Sequence, residues 1–288
     1  MRSLLFVPGD SEKKLEKGFQ SGADAVIVDL EDSVAPTGKA AARDIASAFI
    51  AERRRESAVR VYVRVNDLSS GLVDDDLSAL MRVRPDGIML PKANGGADVS
   101  HLSAKLRVHE AENGIVDGST RIIPLITETA AGVLAAGSYR PEPRLRGMTW
   151  GAEDLSAAIG ARSTRDAEGR YTDVFRLART LTLLAASAAE TEPIDTVFPD
   201  FRDLDAFRAQ CVEAERDGFT GKMAIHPAQV AVINEVFTPS PEAVARSQAV
   251  VDAFRAAGNP GVVAIDGKMY DRPHLRLAER LLARAKAV

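Results

Sequence analysis

Eight short apolar runs recur between residues 3 and 227, and stretches of helical amphipathicity separate them. They are SLLFVPG (3–9), DAVIVDLE (24–31), RVYVRVN (60–66), GIMLPK (87–92), RIIPLITE (121–128), GMTWGAED (147–154), IDTVFPD (194–200) and GKMAIHP (221–227). Strands joined through helices pair in parallel, because each crossover must return the chain to the same end of the sheet. Eight such units predict an α/β fold of the (β/α)8 TIM-barrel type. An open doubly wound sheet would favour a Gly-rich phosphate loop after its first strand, and VPGDSEKK (7–14) carries neither GxGxxG nor a Walker pattern.

Every predicted strand ends in something polar: Asp10, Glu31 and Asp32, Arg64 and Asn66, Lys92, Glu128, Glu153 and Asp154, Asp200, His226. In a barrel these ends converge on one face, where active sites sit. The charge is densest in DAVIVDLEDSV (24–34), where Asp29, Glu31 and Asp32 close the most apolar strand of the chain. Three acids in four positions need cations nearby.

Beyond FTPSPEAV (237–244) the pattern changes. Residues 241–257 suit a helix, NPGVVAIDGKMYDRP (259–273) is a Gly/Pro-rich excursion with one short strand, and HLRLAERLLARAKAV (274–288) is a closing helix. The predicted division is a barrel domain over 1–237 and a C-terminal extension over 238–288, surplus to an eight-fold barrel.

Hydrophobic residues make up 45% of the 288 and charged residues 27%, an ordinary globular balance with ample length for a large core. The formal net charge is −4 and Lys and Arg are scattered, so there is no basic stripe for nucleic acid, while small anions remain possible ligands. A single cysteine, Cys211, excludes an intramolecular disulfide and a cysteine-based zinc site, and its helical setting predicts core packing. Pro8, Gly9 and Asp10 interrupt the first apolar run too early for a signal peptide, and no run is long enough to span a bilayer. The expectation is a soluble cytoplasmic protein.

Glu128 and Asp154, at the ends of neighbouring predicted strands, can share a hard cation. One or two carboxylates with open positions for water and substrate suit Mg²⁺. HxH, HExxH and cysteine clusters are absent from the sequence, which disfavours zinc. The competing reading is that both acids merely cap the helices that follow. Alternation in RVYVRVN puts Arg60, Tyr62, Arg64 and Asn66 on one pleat face, with Arg64 near the mouth. There a guanidinium can bind a substrate carboxylate at two points, stabilise an oxyanion, or pair with the acids of the second strand.

The segments RSLLFVPG, GADAVIVDLEDSVAPTGKAAAR, VRVN, LPK, ITETAAG, WGAEDL, GFTGKMAIHPAQV and DGKMYDRP, in order from Arg2 to Pro273, resemble the citrate lyase β-subunit-like branch of the HpcH/HpaI aldolase family. The resemblance implies a magnesium-dependent barrel that often assembles as a homotrimer, with citryl-, malyl- and citramalyl-coenzyme A lyases among its relatives. It assigns Glu128 and Asp154 as metal ligands and Arg64 as the contact to the keto-acid part of the substrate, where Glu128 also lies. It makes Asp29, Glu31 and Asp32 an outer layer around the metal waters. Arg2, Lys39 and the turn Ile225, His226 and Pro227 match regions that receive coenzyme A in relatives, although His226 fits a purely structural role equally well. Asp266 matches an aspartate on a lid that closes over the adjacent subunit's site and manages the proton.

The activity so implied is carbon–carbon cleavage, or condensation, of a short β-hydroxyacyl-coenzyme A. Loss of the hydroxyl proton breaks the adjacent bond to give a 2-oxo acid and a thioester enolate. Alternatives are a citrate lyase β subunit working in a complex on an acyl-carrier thioester, an aldolase for free hydroxy-keto acids, and thioester hydrolysis after cleavage. The partners expected are small molecules and other copies of the chain, with neither nucleic acid nor membrane.

Overall fold

A computed structural model of the chain describes residues 1–54 and 57–286. Eight parallel strands form the barrel: β1 (Ser3–Pro8), β2 (Ala25–Asp29), β3 (Arg60–Arg64), β4 (Gly87–Leu90), β5 (Arg121–Pro124), β6 (Gly147–Met148), β7 (Glu192–Asp195) and β8 (Gly221–Ala224). They pair in the order β5-β4-β3-β2-β1-β8-β7-β6. Closure between β5 and β6 runs through bridges Ile122–Leu145 and Leu125–Thr149, with Thr149 N donating to Pro124 O at 3.1 Å and Ile126 N to Thr149 O at 3.0 Å. The predicted TIM barrel is therefore the fold found.

The helices of the barrel are α1 (Glu12–Phe19), α2 (Lys39–Arg53), α3 (Val73–Leu80), α4 (Gly96–Glu112), α5 (Ala130–Leu134), α6 (Ala152–Ile159), α7 (Asp173–Ala188), α8 (Leu204–Asp217) and α9 (Pro227–Phe237). Period-two alternation divides the core in two. Leu4, Ala25, Ile27, Tyr62, Met89, Ile123, Ile194 and Met223 fill the barrel interior. Their neighbours Leu5, Val26, Val28, Val61, Val63, Ile88 and Ile122 pack outward under the helices. At about 25 cal/mol per Å² of apolar surface, these two layers supply the main drive for closure.

Each strand found ends before its predicted run does, and at three of them a specific contact or element accounts for the difference. The sixth stops at Met148, because Ala152 to Ile159 form the short helix α6, whose first turn holds Glu153 and Asp154 against its positive end. The seventh lies two residues early, at Glu192–Asp195. Pro199 has no N–H for a ladder, and Phe198 O is taken by Gln229 Nε2 at 2.9 Å. In the third, Asn66 leaves the interior, since its side-chain amide donates to Asp76 Oδ2 at 2.7 Å and Leu30 O at 3.2 Å.

The C-terminal segment comprises α10 (Pro241–Ala256), β9 (Val262–Ile265), β10 (Lys268–Asp271) and α11 (Arg272–Lys286). Residues 287 and 288 of the predicted closing helix lie outside the described residues. Two strands stand where one was predicted, and they pair antiparallel with Ile265 opposite Lys268. Asp266 and Gly267 form the two-residue turn at φ +50° and +74°, the left-handed pair that a tight hairpin requires. Val250, Phe254, Leu275 and Ala278 form a small separate core beneath the hairpin.

Candidate active site

The site is built at the carboxyl ends of β2 to β6. Parallel pairing sets Asp29 opposite Arg64 in register, so the last residues of β2 and β3 meet at the mouth. Arg64 Nε donates to Asp29 Oδ1 and Nη2 to Oδ2, both at 2.7 Å. Asp29 also accepts from the backbone N–H of Glu31 at 2.9 Å and Ser33 at 3.3 Å, which folds the acidic loop back over the strand. Arg64 Nη1 lies 2.9 Å from Glu31 Oε2 and 3.9 Å from Asp32. Lys39 Nζ donates to the carbonyls of Leu30 and Glu31, both at 2.8 Å, and pins the same loop.

Burial alone would raise the Asp29 carboxyl, but the Arg64 hydrogen bonds and charge hold it below the usual range. Arg64 is shifted the other way: burial disfavours its charge, and Asp29, with Glu31 and Glu128, more than restores it. The pile of acids on an apolar strand is thus half of an ion-pair network whose other half arrives from β3 and β4.

Lys92 is the arrival from β4. Two residues past that strand, at φ +51°, its backbone N–H donates to Glu128 Oε2 at 2.6 Å. Its ammonium pairs with Glu31 and lies 3.5 Å from Asp32 Oδ2 and 3.3 Å from Asp154 Oδ1. In the sequence Lys92 stands only as a polar strand end with no role, and the signal for one is its place in LPK, directly after a buried strand.

Glu128 is 2% exposed, and its carboxyl is pushed up to about 8 by burial first and by the charge of Asp154 second. Gly151 makes its position possible, since a Cβ there would fall 2.8 Å from both Cγ and Oε1 of Glu128. Sequence reasoning missed this residue as well. Neither acid acts as a helix cap: Thr129 caps α5 by accepting from Gly132 N, and the cap of α6 is Gly151, which has no side-chain oxygen. Two carboxylates at one barrel mouth, one of them buried, suit a hard cation between them. Glu31 Oε2 is a further buried oxygen at the mouth, 2.9 Å from Arg64 Nη1. Glu128 and Asp154 fit Mg²⁺ by the chemistry of their oxygens. No group of three or more His, Cys, Asp or Glu residues is arranged to hold a metal ion among the described residues.

A cavity of about 690 Å³ opens beside this cluster, between β1, α1 and the turn after β8. Phe6, Pro8, Lys14, Lys17 and Ile225 to Pro227 line it. Phe6 joins it to the acidic cluster, because the Arg64 guanidinium sits 4.9 Å from its ring centroid. His226 Nδ1 accepts from Ala228 N at 3.1 Å as the N-cap of α9, and its ring stacks on Phe201 at 4.8 Å. Its structural duty is therefore satisfied at the cavity rim.

Two predicted residues are not brought to the cluster. Arg2 precedes β1 at the opposite end of the barrel, where Nη2 holds Asp24 at 2.7 Å and Nη1 donates to Thr238 at 2.9 Å. Strand direction decides this, because a residue before a strand cannot share a face with residues after one. Asp266 is exposed at the hairpin tip, and no hydrogen bond or ion pair joins it to the cluster among the described residues. Cys211 is buried in α8, and burial pushes its thiol up to about 12.

The family described as HpcH/HpaI aldolase/citrate lyase matches residues 2–227. A protein of Cereibacter sphaeroides named (3S)-malyl-CoA thioesterase is 35% identical over all of this chain and 95% of its own length. The mitochondrial citramalyl-CoA lyase of Rattus norvegicus is 34% identical over all of this chain and 86% of its own. Among solved structures, the protein CitE from Mycobacterium tuberculosis in complex with magnesium, acetoacetate and coenzyme A superposes with a TM-score of 0.79 at 34% identity, covering 99% of this chain and 98% of that one. The chain belongs to the HpcH/HpaI aldolase/citrate lyase family, in its citrate lyase β-subunit-like branch.

Proposed function

We propose that the protein is a Mg²⁺-dependent carbon–carbon lyase that cleaves, or forms, a short β-hydroxyacyl-coenzyme A carrying a carboxylate on its hydroxyl carbon. The carrying observation is the convergence of Glu128, Asp154 and Arg64 on one barrel mouth beside a cavity bearing two lysines. Glu128 and Asp154 hold the cation, which when bound supplies Lewis-acid stabilisation of the oxygen charge that develops on cleavage. Arg64, oriented by Asp29, presents its guanidinium to the carboxylate of the departing 2-oxo acid. Coenzyme A lies along the cavity, its phosphates toward Lys14 and Lys17 and its chain past Ile225 to Pro227. Arg2 has no part in this placement within its own subunit.

Asp266 donates the proton that quenches the thioester enolate, from the hairpin of a neighbouring copy in a homotrimer. Its exposed position on a two-residue turn, with Met269 72% exposed on the same hairpin, supports that reading. Among the described residues no helix is long and apolar enough to cross a membrane. The protein works in the cytoplasm on small acyl-coenzyme A and 2-oxo-acid molecules.

The (3S)-malyl-CoA thioesterase relative favours one second reading, hydrolysis of the thioester after or instead of cleavage. One assay separates them. Purified protein with Mg²⁺ is given malyl-, citramalyl- and citryl-coenzyme A, and both 2-oxo acid and free thiol are followed. A lyase releases 2-oxo acid with no thiol, and a thioesterase releases thiol. Neither product from any of the three overturns the proposal.

A further inference from the structure

The acidic mouth holds five carboxylates, Asp29, Glu31, Asp32, Glu128 and Asp154, and two side-chain cations, Arg64 and Lys92. The two cations are not equivalent. Arg64 is committed, since two 2.7 Å hydrogen bonds fix it on Asp29. Lys92 instead spans the cluster: its ammonium touches Glu31 and Asp32 from the β2 loop and Asp154 from α6, and its backbone N–H is held on Glu128. The left-handed backbone at φ +51° is an uncommon conformation for a lysine, and the N–H bond to Glu128 compensates for it. Lys92 is half-buried on a long flexible stem, so its head can move while its backbone stays.

We infer that Lys92 is a resident counterion of the metal site: its ammonium neutralises the carboxylates of the metal-free protein and is displaced from Asp154 when Mg²⁺ binds. This rests on the assignment of Glu128 and Asp154 as the metal ligands. A divalent cation bound by those two acids and a primary ammonium 3.3 Å from one of them repel each other strongly at such range. Glu31 and Asp32 offer the displaced head a place to stay. The lysine thereby keeps the metal-free cluster from self-repulsion and lowers its affinity for Mg²⁺, so that metal is held exchangeably.

The test is calorimetric titration of Mg²⁺ into the wild-type protein and into Lys92→Met and Lys92→Arg, with the Tm of each metal-free protein measured alongside. Lys92→Met is expected to bind Mg²⁺ about tenfold more tightly while its metal-free Tm falls. Lys92→Arg, which keeps the charge, is expected to bind no more tightly than wild type. Equal or weaker binding by Lys92→Met, in a protein whose wild type binds Mg²⁺, overturns the counterion role and leaves the metal assignment standing. Absence of Mg²⁺ binding in both overturns the two together. Should Lys92→Met fail to fold without metal, the wild type still decides. With ¹⁵N-lysine labelling, the Lys92 ammonium resonance, identified by its loss in Lys92→Arg, must shift on Mg²⁺ addition, and an unmoved resonance overturns the proposal.

Discussion

Arg64 and Asp29 face each other in register at the ends of β3 and β2, joined by two hydrogen bonds of 2.7 Å from Nε and Nη2 of the guanidinium. The pair orients a guanidinium toward the barrel mouth and fixes the acidic loop that follows Asp29. Structure and chemistry share one contact, and variants at it should affect them unequally.

Arg64→Lys retains the charge and loses the two-point geometry. Turnover is expected to drop by about a hundredfold to a thousandfold, the usual cost of one transition-state donor. The Tm should fall only a few degrees, since one or two hydrogen bonds to a charged group are lost, about 2–3 kcal/mol in all. A variant within about threefold of wild-type kcat/KM would make Arg64 a structural ion-pair partner alone.

Glu128→Gln and Asp154→Asn should each weaken Mg²⁺ binding in calorimetry by about tenfold or more, as one of two charged ligands is removed. Glu128→Gln should leave the metal-free Tm unchanged or higher, because the substitution relieves a buried carboxylate of its repulsion with Asp154 while keeping an oxygen for Lys92 N–H. Unaltered metal affinity in both variants removes the assignment.

Asp266→Ala and Asp154→Asn homo-oligomers are each expected to be nearly inactive on a coenzyme A thioester. Subunits exchanged between them should recover activity, by pairing an intact barrel mouth with an intact hairpin. Demonstrated exchange with no recovery shows that the hairpin does not act in trans, and full activity of Asp266→Ala shows that it is not the proton donor.

Away from the mouth, Arg144 and Glu110 form a buried pair, Nη1 to Oε1 and Nη2 to Oε2 at 2.7 Å each. Burial would raise the Glu110 carboxyl, but Arg144 and the N–H groups of Thr120 and Gly118 hold it down at about 2. A carboxyl depressed in the folded state stabilises the protein above its unfolded value, near 4.5, and loses that contribution as pH falls towards about 2. Glu110→Gln should therefore destabilise the protein at neutral pH by the cost of a broken buried pair, about 3–5 kcal/mol, lower its Tm, and flatten the acid limb of the Tm–pH curve between about pH 4.5 and 2. An unchanged acid limb in calorimetric scans would show that other carboxyls govern acid unfolding.

The barrel was legible in the chain, and so was the mouth. Period-two alternation separates Ile27 and Met223 inside from Val26 and Val28 outside, and hydrophobicity is a local property that sequence records directly. Glu128, Asp154, Arg64 and the acids from Asp29 to Asp32 could be named because each stands at or just past the end of an apolar run, which strand direction converts into one face. What sequence could not settle was which side chains touch. Asp154 reaches the site from the first turn of α6, well beyond the ladder of β6, and Asn66 turns away to Asp76 although its parity points inward. Lys92 gains its partners from the loop after β2, from Glu128 after β5 and from α6, and Gly151 matters only because the Glu128 carboxylate lies where its Cβ would be. Arg2, which directly precedes β1, ends at the far end of the barrel. Such contacts join residues tens of positions apart, and their distances are set when the barrel closes, so tertiary structure alone decides them.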